Sequence, residues 1–307
     1  MPRGQFKALQ VPCGRIWTAD AGTYGRGGLR RATSAPVSGL SRGATAPRMG
    51  QRRLWETASV GDAVLYARNA AAMWESLVPW SRVVPGVLPG ALVIEIPAQP
   101  ATRVILRRPF AADPGPISAL MAQARERGRV VVEDSFGTLA RPARDDITVN
   151  RMPVMLRPAG GIAPVPTAPD VRVVQAADAR ALAQAERVIV DGFPQPALQP
   201  YRPGRSLPPL VLTVPGWRTW LAYSGGEPAA ACCTYDDGAV LGVYWLATLP
   251  EHRSHGLGRA VIAAALAACP ARPAALTATA AGEPLYASLG FRAVSEAAWY
   301  RKPALRR

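Results

Sequence analysis

The sequence predicts an α/β protein made of two units in series, and three observations predict it. Strand-length apolar runs alternate with helix-period segments from about residue 62 onward. The order helix, strand, strand, helix, strand, strand over 51–157 returns in the second half of 171–303. Between residues 244 and 266 the text YWLATLPEHRSHGLGRAVIAAAL passes from an apolar strand through a short loop into an apolar helix. That helix opens on R-x-x-G-x-G, with Arg253, Gly256 and Gly258. Helix starts carry unpaired N–H groups and a partial positive charge, and glycines let a polyanion come close to that backbone. The loop suits phosphate, although the same glycines would also serve a tight strand-to-helix turn.

The 307 residues suffice for a core in each of two domains. Arginine supplies 34 of the 36 basic residues, alongside Lys7 and Lys302, so much of the basic charge follows codon composition. Residues 1–50 hold eight basic residues against one acidic, which is +7 of the total +15. The folded part is therefore only mildly basic, and nucleic acid is not expected as a partner. Cys13, Cys232, Cys233 and Cys269 lack C-x-x-C spacing and read as buried thiols of a reducing compartment, so the expected location is cytoplasmic. With His252 and His255 as the only histidines, no metal site is expected. No apolar run is long enough to cross a membrane, and a membrane partner is not expected.

Residues 1–50 are rich in Gly, Arg, Ser, Ala and Pro without apolar period and read as a disordered basic leader. Over 51–157 a helix is expected at 62–77, strands at 91–96 and 103–106, a helix at 116–127, and strands at 129–133 and 147–156. Residues 158–170 have the Pro, Gly and Ala content of a linker. The second unit, 171–303, begins with a strand at 171–175, then a helix capped by Asp178 and ending by Gly192. Residues 194–215 read as an irregular mobile wall. A hairpin of 217–223 and 229–235 turns at SGGE, followed by a strand at 239–248. After the glycine-opened helix come a strand at 275–280, a short helix at 283–289 closed by Gly290, and a last strand at 292–301.

Three features in this order resemble one family. The strand end Leu246, Ala247, Thr248 precedes PEHRSHGLGRA, which matches an R/Q-x-x-G-x-G/A pyrophosphate loop, and EPLYASLGF resembles L-Y-x-x-x-G-F. On these motifs residues 171–303 resemble the GCN5-related N-acetyltransferases (GNAT), which move acetyl from acetyl-CoA to an amine. The resemblance implies an α/β fold with a central mixed sheet, splayed between its fourth and fifth strands. The unit before it reads as a smaller, degenerate GNAT-like half, with ADPGP at 112–116 where the phosphate loop would stand.

The resemblance further implies that backbone groups of Leu246, Ala247 and Thr248 align the pantetheine and polarise the thioester. The loop Arg253, Ser254, His255, Gly256, Leu257, Gly258 and Arg259 would hold pyrophosphate, with Arg253 either bracing the loop or pairing with phosphate. Tyr286 would protonate the departing sulfur. The strand at 239–248 contains no carboxylate, which leaves Glu283, Asp236, Asp237 or a water relay as the base. Phe193, Tyr201, Tyr244 and Trp245 are candidates for an apolar acceptor pocket. The expected activity is transfer of acetyl from acetyl-CoA to a primary amine of a small molecule or peptide, with a homodimer left open. A non-catalytic acyl-CoA sensor is the rival reading.

Overall fold

The computed structural model describes residues 60–78, 81–85, 89–96, 101–110, 115, 129–139, 147–193 and 199–302. The expected leader at 1–50, the helix at 116–127 and most of ADPGP lie outside the described residues. The chain runs α1 (Val60–Glu75), β1 (Arg82–Val83), β2 (Ala91–Ile96), β3 (Ala101–Leu106), β4 (Arg129–Asp134) and β5 (Thr148–Arg157). It continues through β6 (Arg172–Gln175), α2 (Ala179–Gly192), β7 (Trp217–Ser224), β8 (Glu227–Asp236) and β9 (Leu241–Thr248). It ends with α3 (Leu257–Ala267), β10 (Ala274–Thr277), α4 (Glu283–Ala287) and β11 (Arg292–Lys302).

The eleven strands among the described residues form one mixed sheet in the order β1-β2-β3-β4-β11-β5-β10-β9-β8-β7-β6. The two halves mirror each other about the β11–β5 centre. β3 pairs parallel with β4 as β9 does with β10, and the strands outward of each pair are antiparallel. The first half is thus a repeat of the second. The units expected on either side of the 158–170 linker share this sheet. β5 belongs to the first segment yet pairs with β10 and β11, while β11 of the second segment lies between β4 and β5. Each half fills its centre with a strand of the other. Residues 158–170 are mostly exposed and are tied to the fold at a few points: Ile162 and Val165 pack against the apolar cluster beneath α3, and the Arg157 guanidinium donates to the carbonyls of Gly160, Gly161 and Leu289.

Strand alternation sends successive side chains to opposite faces. Cys233 therefore joins the core under α1 and α2, while Cys232 joins the one under α3 and α4. On the first face Tyr66, Met73 and Trp74 of α1 share one apolar cluster with Leu182 and Ile189 of α2 and with Trp245 of β9. Asp178 caps α2 as expected, accepting from the Ala181 N–H at 2.8 Å. Buried Asn69 fastens α1 to the second half: its amide donates to the carbonyls of Tyr235 and Val240 and accepts from the Tyr244 hydroxyl at 2.6 Å. Gly242 is required opposite it, because a Cβ there would stand 1.9 Å from Asn69 Oδ1.

The two parallel pairs differ in one respect that matters for ligands. β3 and β4 stay paired from Ala101↔Arg129 to Ile105↔Glu133. β9 and β10 pair only at Ala274↔Leu241 and Ala275↔Gly242 and then diverge. A wedge opens between them toward their C-terminal ends, the place where parallel strands present ligand sites.

The interlocked sheet makes a direct prediction. A chain beginning at residue 158 lacks β5, so β10 and β11 lose the strand that joins them. It should show no cooperative thermal transition by circular dichroism, whereas the full chain should melt in one step. A truncated chain that melts cooperatively near the full-length temperature would show that the second half closes its own sheet.

Candidate functional site

Two hollows meet at the β9–β10 wedge. The larger is a surface groove of about 770 Å³, and the smaller is an inner cavity of about 150 Å³. Phe193, Leu246 and Gly282 line both, so the groove leads to the cavity.

The groove is walled by the end of β9 (Leu246, Ala247, Thr248), by the loop and first turn of α3, and by Ala281, Gly282 and Leu285. Of the expected loop residues, Arg253, Ser254, Gly256, Leu257, Gly258 and Arg259 line it; His255 does not, being exposed beside it, and His252 lines it instead. Ser254 and Gly256 both take left-handed backbone, at φ 63 and 79. Gly256 is the N-cap, so the α3 turn begins from a conformation that glycine reaches without steric cost. The amides of Leu257, Gly258 and Arg259 have no carbonyl four residues back within the helix and face the groove end. A Cβ on Gly258 would sit between Thr248, Leu285 and Leu246, at 3.5–3.7 Å from each, and so would project into the groove. Arg253 bonds the carbonyls of Thr248 and Gly192 at 3.2 and 3.1 Å, which is the bracing role. The opposite wall includes Val165 and Pro166, from the stretch read as a linker.

A bulge shapes the cavity mouth. Ala247 pairs with Ala231 and Tyr244 with Cys233, so Trp245 and Leu246 together oppose Cys232. Trp245 takes φ 55, a left-handed conformation that costs on the order of 1–3 kcal/mol for a bulky residue. A bulge leaves the extra residue outside the ladder and turns side chains out of alternation. Val243, Tyr244, Trp245 and Leu246 all line the cavity as a result.

The other cavity walls come largely from the repeat. α1 supplies Tyr66, Ala70, Met73 and Trp74, and β4 and β5 supply Glu133 and Met152. β11 adds Trp299, and Tyr286 stands at the α4 side with 9% exposure. Burial raises the Tyr286 phenol above its ordinary value, with a smaller contribution from Cys232, so the hydroxyl stays protonated at neutral pH. Glu133 is the one charged side chain in the lining; it is 3% exposed and ion-paired with buried Arg103, whose guanidinium lies 4.7 Å from the Trp74 ring centre.

The structure redistributes several sequence expectations. Asp236 pairs with Arg272, and Asp237 accepts from the Ala239 and Val240 amides, so both organise a turn. Glu283 lines neither hollow. None of the three carboxylates weighed as base therefore reaches the cavity, and Glu133 does. Phe193, Tyr244 and Trp245 line it as expected, but Tyr201 bonds the carbonyl of Ala183 and the carboxylate of Glu186. The described part of the expected mobile wall is anchored: buried Glu186 also accepts from the amides of Gly204, Ser206 and Leu207, while burial raises its pKa overall. One signal in the sequence pointed to the missed site. Arg103 and Glu133 are opposite charges next to the apolar runs of ATRVIL and RVVVED, and buried charges are kept in pairs.

Among the described residues no cluster of His, Cys, Asp and Glu could hold a metal, and no helix is long and apolar enough to cross a membrane. Cys232, Cys233 and Cys269 are free thiols.

Comparison with known proteins matches this site to a family. Residues 215–293 fit the model of the acetyltransferase (GNAT) domain. Among solved structures, a GCN5-related N-acetyltransferase from Kribbella flavida aligns with a TM-score of 0.55 and 20% identity over 78% of this chain and 96% of its own. A conserved protein of unknown function from Staphylococcus epidermidis aligns with a TM-score of 0.56 and 10% identity, over 73% and 95%. No curated protein matches the sequence. The wedge, the bulged strand and the glycine-opened helix thus lie within the residues that fit the acetyltransferase (GNAT) domain model, on a sheet whose fold is similar to that of the solved GCN5-related N-acetyltransferase.

Proposed function

We propose that the protein is an N-acetyltransferase that takes acetyl from acetyl-CoA and delivers it to a primary amine in a ternary complex. The observation that carries this reading is the junction of the two hollows at Leu246, Gly282 and the neighbouring Tyr286. An elongated phosphate-bearing co-substrate fits the groove, and a second reactant has its own enclosed space beyond.

The chain's residues suit the co-substrate. The α3 amides and Arg259 meet pyrophosphate, and the space kept clear at Gly258 admits it to the backbone. Backbone groups of Leu246, Ala247 and Thr248, beyond the bulge, orient the pantetheine arm in the wedge. Bound acetyl-CoA supplies an acetyl group activated as a thioester. Tyr286, kept protonated by burial, donates its proton to the leaving sulfur. Holding amine and acetyl together in the recess beyond Phe193 and Leu246 supplies proximity. One co-substrate per chain is expected, because β3 and β4 stay zipped where β9 and β10 diverge. The free thiols fit a reducing cytoplasm, and the partners are an amine acceptor with neither membrane nor nucleic acid. A non-catalytic acyl-CoA-binding module is the second reading, favoured by the lack of any carboxylate on β9.

Titration calorimetry of the full chain with CoA should give one site. Gly256→Asp and Gly258→Asp should each weaken binding roughly a hundredfold, about 2.7 kcal/mol, by setting a carboxylate against phosphate. Unchanged affinity in both variants would remove the groove assignment, and two sites per chain would remove the zipped-repeat argument.

Tyr286→Phe keeps the ring against Phe291 and deletes the proton donor. Turnover measured as thiol release should fall roughly ten- to a thousandfold while the CoA dissociation constant holds. The raised phenol pKa carries a sign: Tyr286 stays protonated through neutral pH and loses its proton only above its ordinary value of 10.0. Any loss of wild-type rate below about pH 10 must therefore come from another group. Wild-type turnover by the Phe variant would make this tyrosine structural, and CoA binding with no amine turnover would favour the binding-module reading.

A further inference from the structure

We propose that the acceptor is a small monoamine with an apolar ring, bound in the inner cavity with its amino group donating to Glu133. The assignment rests on the acetyl-transfer reading above and adds to it the substrate class and the residue that receives the amine.

Size comes first. The cavity measures about 150 Å³, a volume that in an engineered apolar core holds one benzene ring. A folded peptide terminus exceeds it, and a polyamine would bring several charges to a lining with a single carboxylate. The lining then selects chemistry. Trp74, Trp245 and Trp299 are each less than 10% exposed, and such aromatic walls favour an apolar ring and attract an amine carrying partial or full positive charge. Polar residues interrupt this wall: Tyr66, Tyr244, Tyr286, Thr277 and Thr279 carry hydroxyls, and Glu133 carries the one charge. Glu133 offers carboxylate oxygen, and its ion pair with buried Arg103 holds that carboxylate in place. A ring bearing a single amine matches an aromatic wall with one carboxylate.

The same placement supplies the proton acceptor that β9 lacks. The amine nitrogen attacks the acetyl carbonyl carbon, the C–N bond forms and the C–S bond breaks. Nitrogen gives one proton to the Glu133 carboxylate, sulfur takes the Tyr286 phenolic proton, and solvent returns the proton from Glu133 to Tyr286. One proton leaves nitrogen and one arrives on sulfur. Glu133 stands on β4, so the repeat, which lacks a wedge of its own, contributes a catalytic group to its neighbour.

The test uses the full chain, acetyl-CoA and thiol release with tyramine, phenethylamine, spermidine and a peptide with a free N-terminus. Tyramine and phenethylamine should show the highest kcat/KM, at least tenfold above spermidine and the peptide. Glu133→Gln should lower kcat/KM for tyramine roughly a hundredfold and remove the acidic limb of its pH profile. Because this variant leaves Arg103 buried without its counter-charge, Ala70→Leu provides a second arm: it fills the cavity from α1 and should abolish amine turnover while the CoA dissociation constant stays within threefold. Three results overturn the assignment: spermidine or peptide turnover equal to tyramine, Ala70→Leu at the wild-type kcat/KM, or CoA binding without turnover of any amine tried. Failure of the wild-type chain to bind CoA would instead overturn the transfer reading on which the assignment rests.

Discussion

The exchange of β5 and β11 is the constraint on which the rest of this structure depends. β11 pairs along nine positions with β5 and along five with β4, so the C-terminal strand is hydrogen-bonded on both edges to the first half. β5 in turn closes the second half against β10. A strand at a sheet centre has no free edge and cannot be withdrawn without breaking two ladders. The interleaving therefore holds the two repeats in one register. It also brings Glu133 of β4, Met152 of β5 and Trp299 of β11 to the wall of a cavity whose chemistry belongs to the second repeat.

Buried polar groups refine this arrangement. Asn69 is satisfied only when α1 lies against the β8–β9 turn, since both its acceptor carbonyls and its hydroxyl donor are on the other half. Glu186 similarly needs the backbone of Gly204, Ser206 and Leu207 in one place. Such groups add little net stability when satisfied, yet cost about 1–3 kcal/mol each when left unpaired, so they select a single packing. The aromatic cavity is bounded by one of them on each side: Asn69 positions Tyr244, and Arg103 positions Glu133.

Much of the fold was legible because it is written in local pattern. Strand and helix positions from 171 onward agree with the structure to within a few residues, since alternation, the Asp178 cap and the glycines at 256 and 290 are all short-range signals. The groove was legible for the same reason, its residues lying mostly on one strand-loop-helix. The cavity was not. Its walls come from α1, β4, β5, β9 and β11, which only the strand exchange brings together, and periodicity carries no information on which distant strands pair. The bulge at Trp245 was equally hidden, because nothing in YWLAT requires a left-handed tryptophan; the facing strand and the packing of Trp217 against Trp245 at 5.7 Å impose it.

The asymmetry of the repeats follows from what each half must do. Two parallel pairs occupy equivalent places, and opening both would leave two wedges flanking a centre of four strands, β4, β11, β5 and β10. Keeping β3 and β4 paired as far as Ile105↔Glu133 makes that half a rigid slab. A rigid slab is what an enclosed cavity needs on its far side, because a side chain held on a fully paired central strand is placed more precisely than one on a loop. Glu133 lies at the last rung of that ladder, in the strand that also carries β11 on its other edge. Loss of the wedge in the first repeat and gain of a fixed carboxylate for the second are thus two effects of one set of hydrogen bonds.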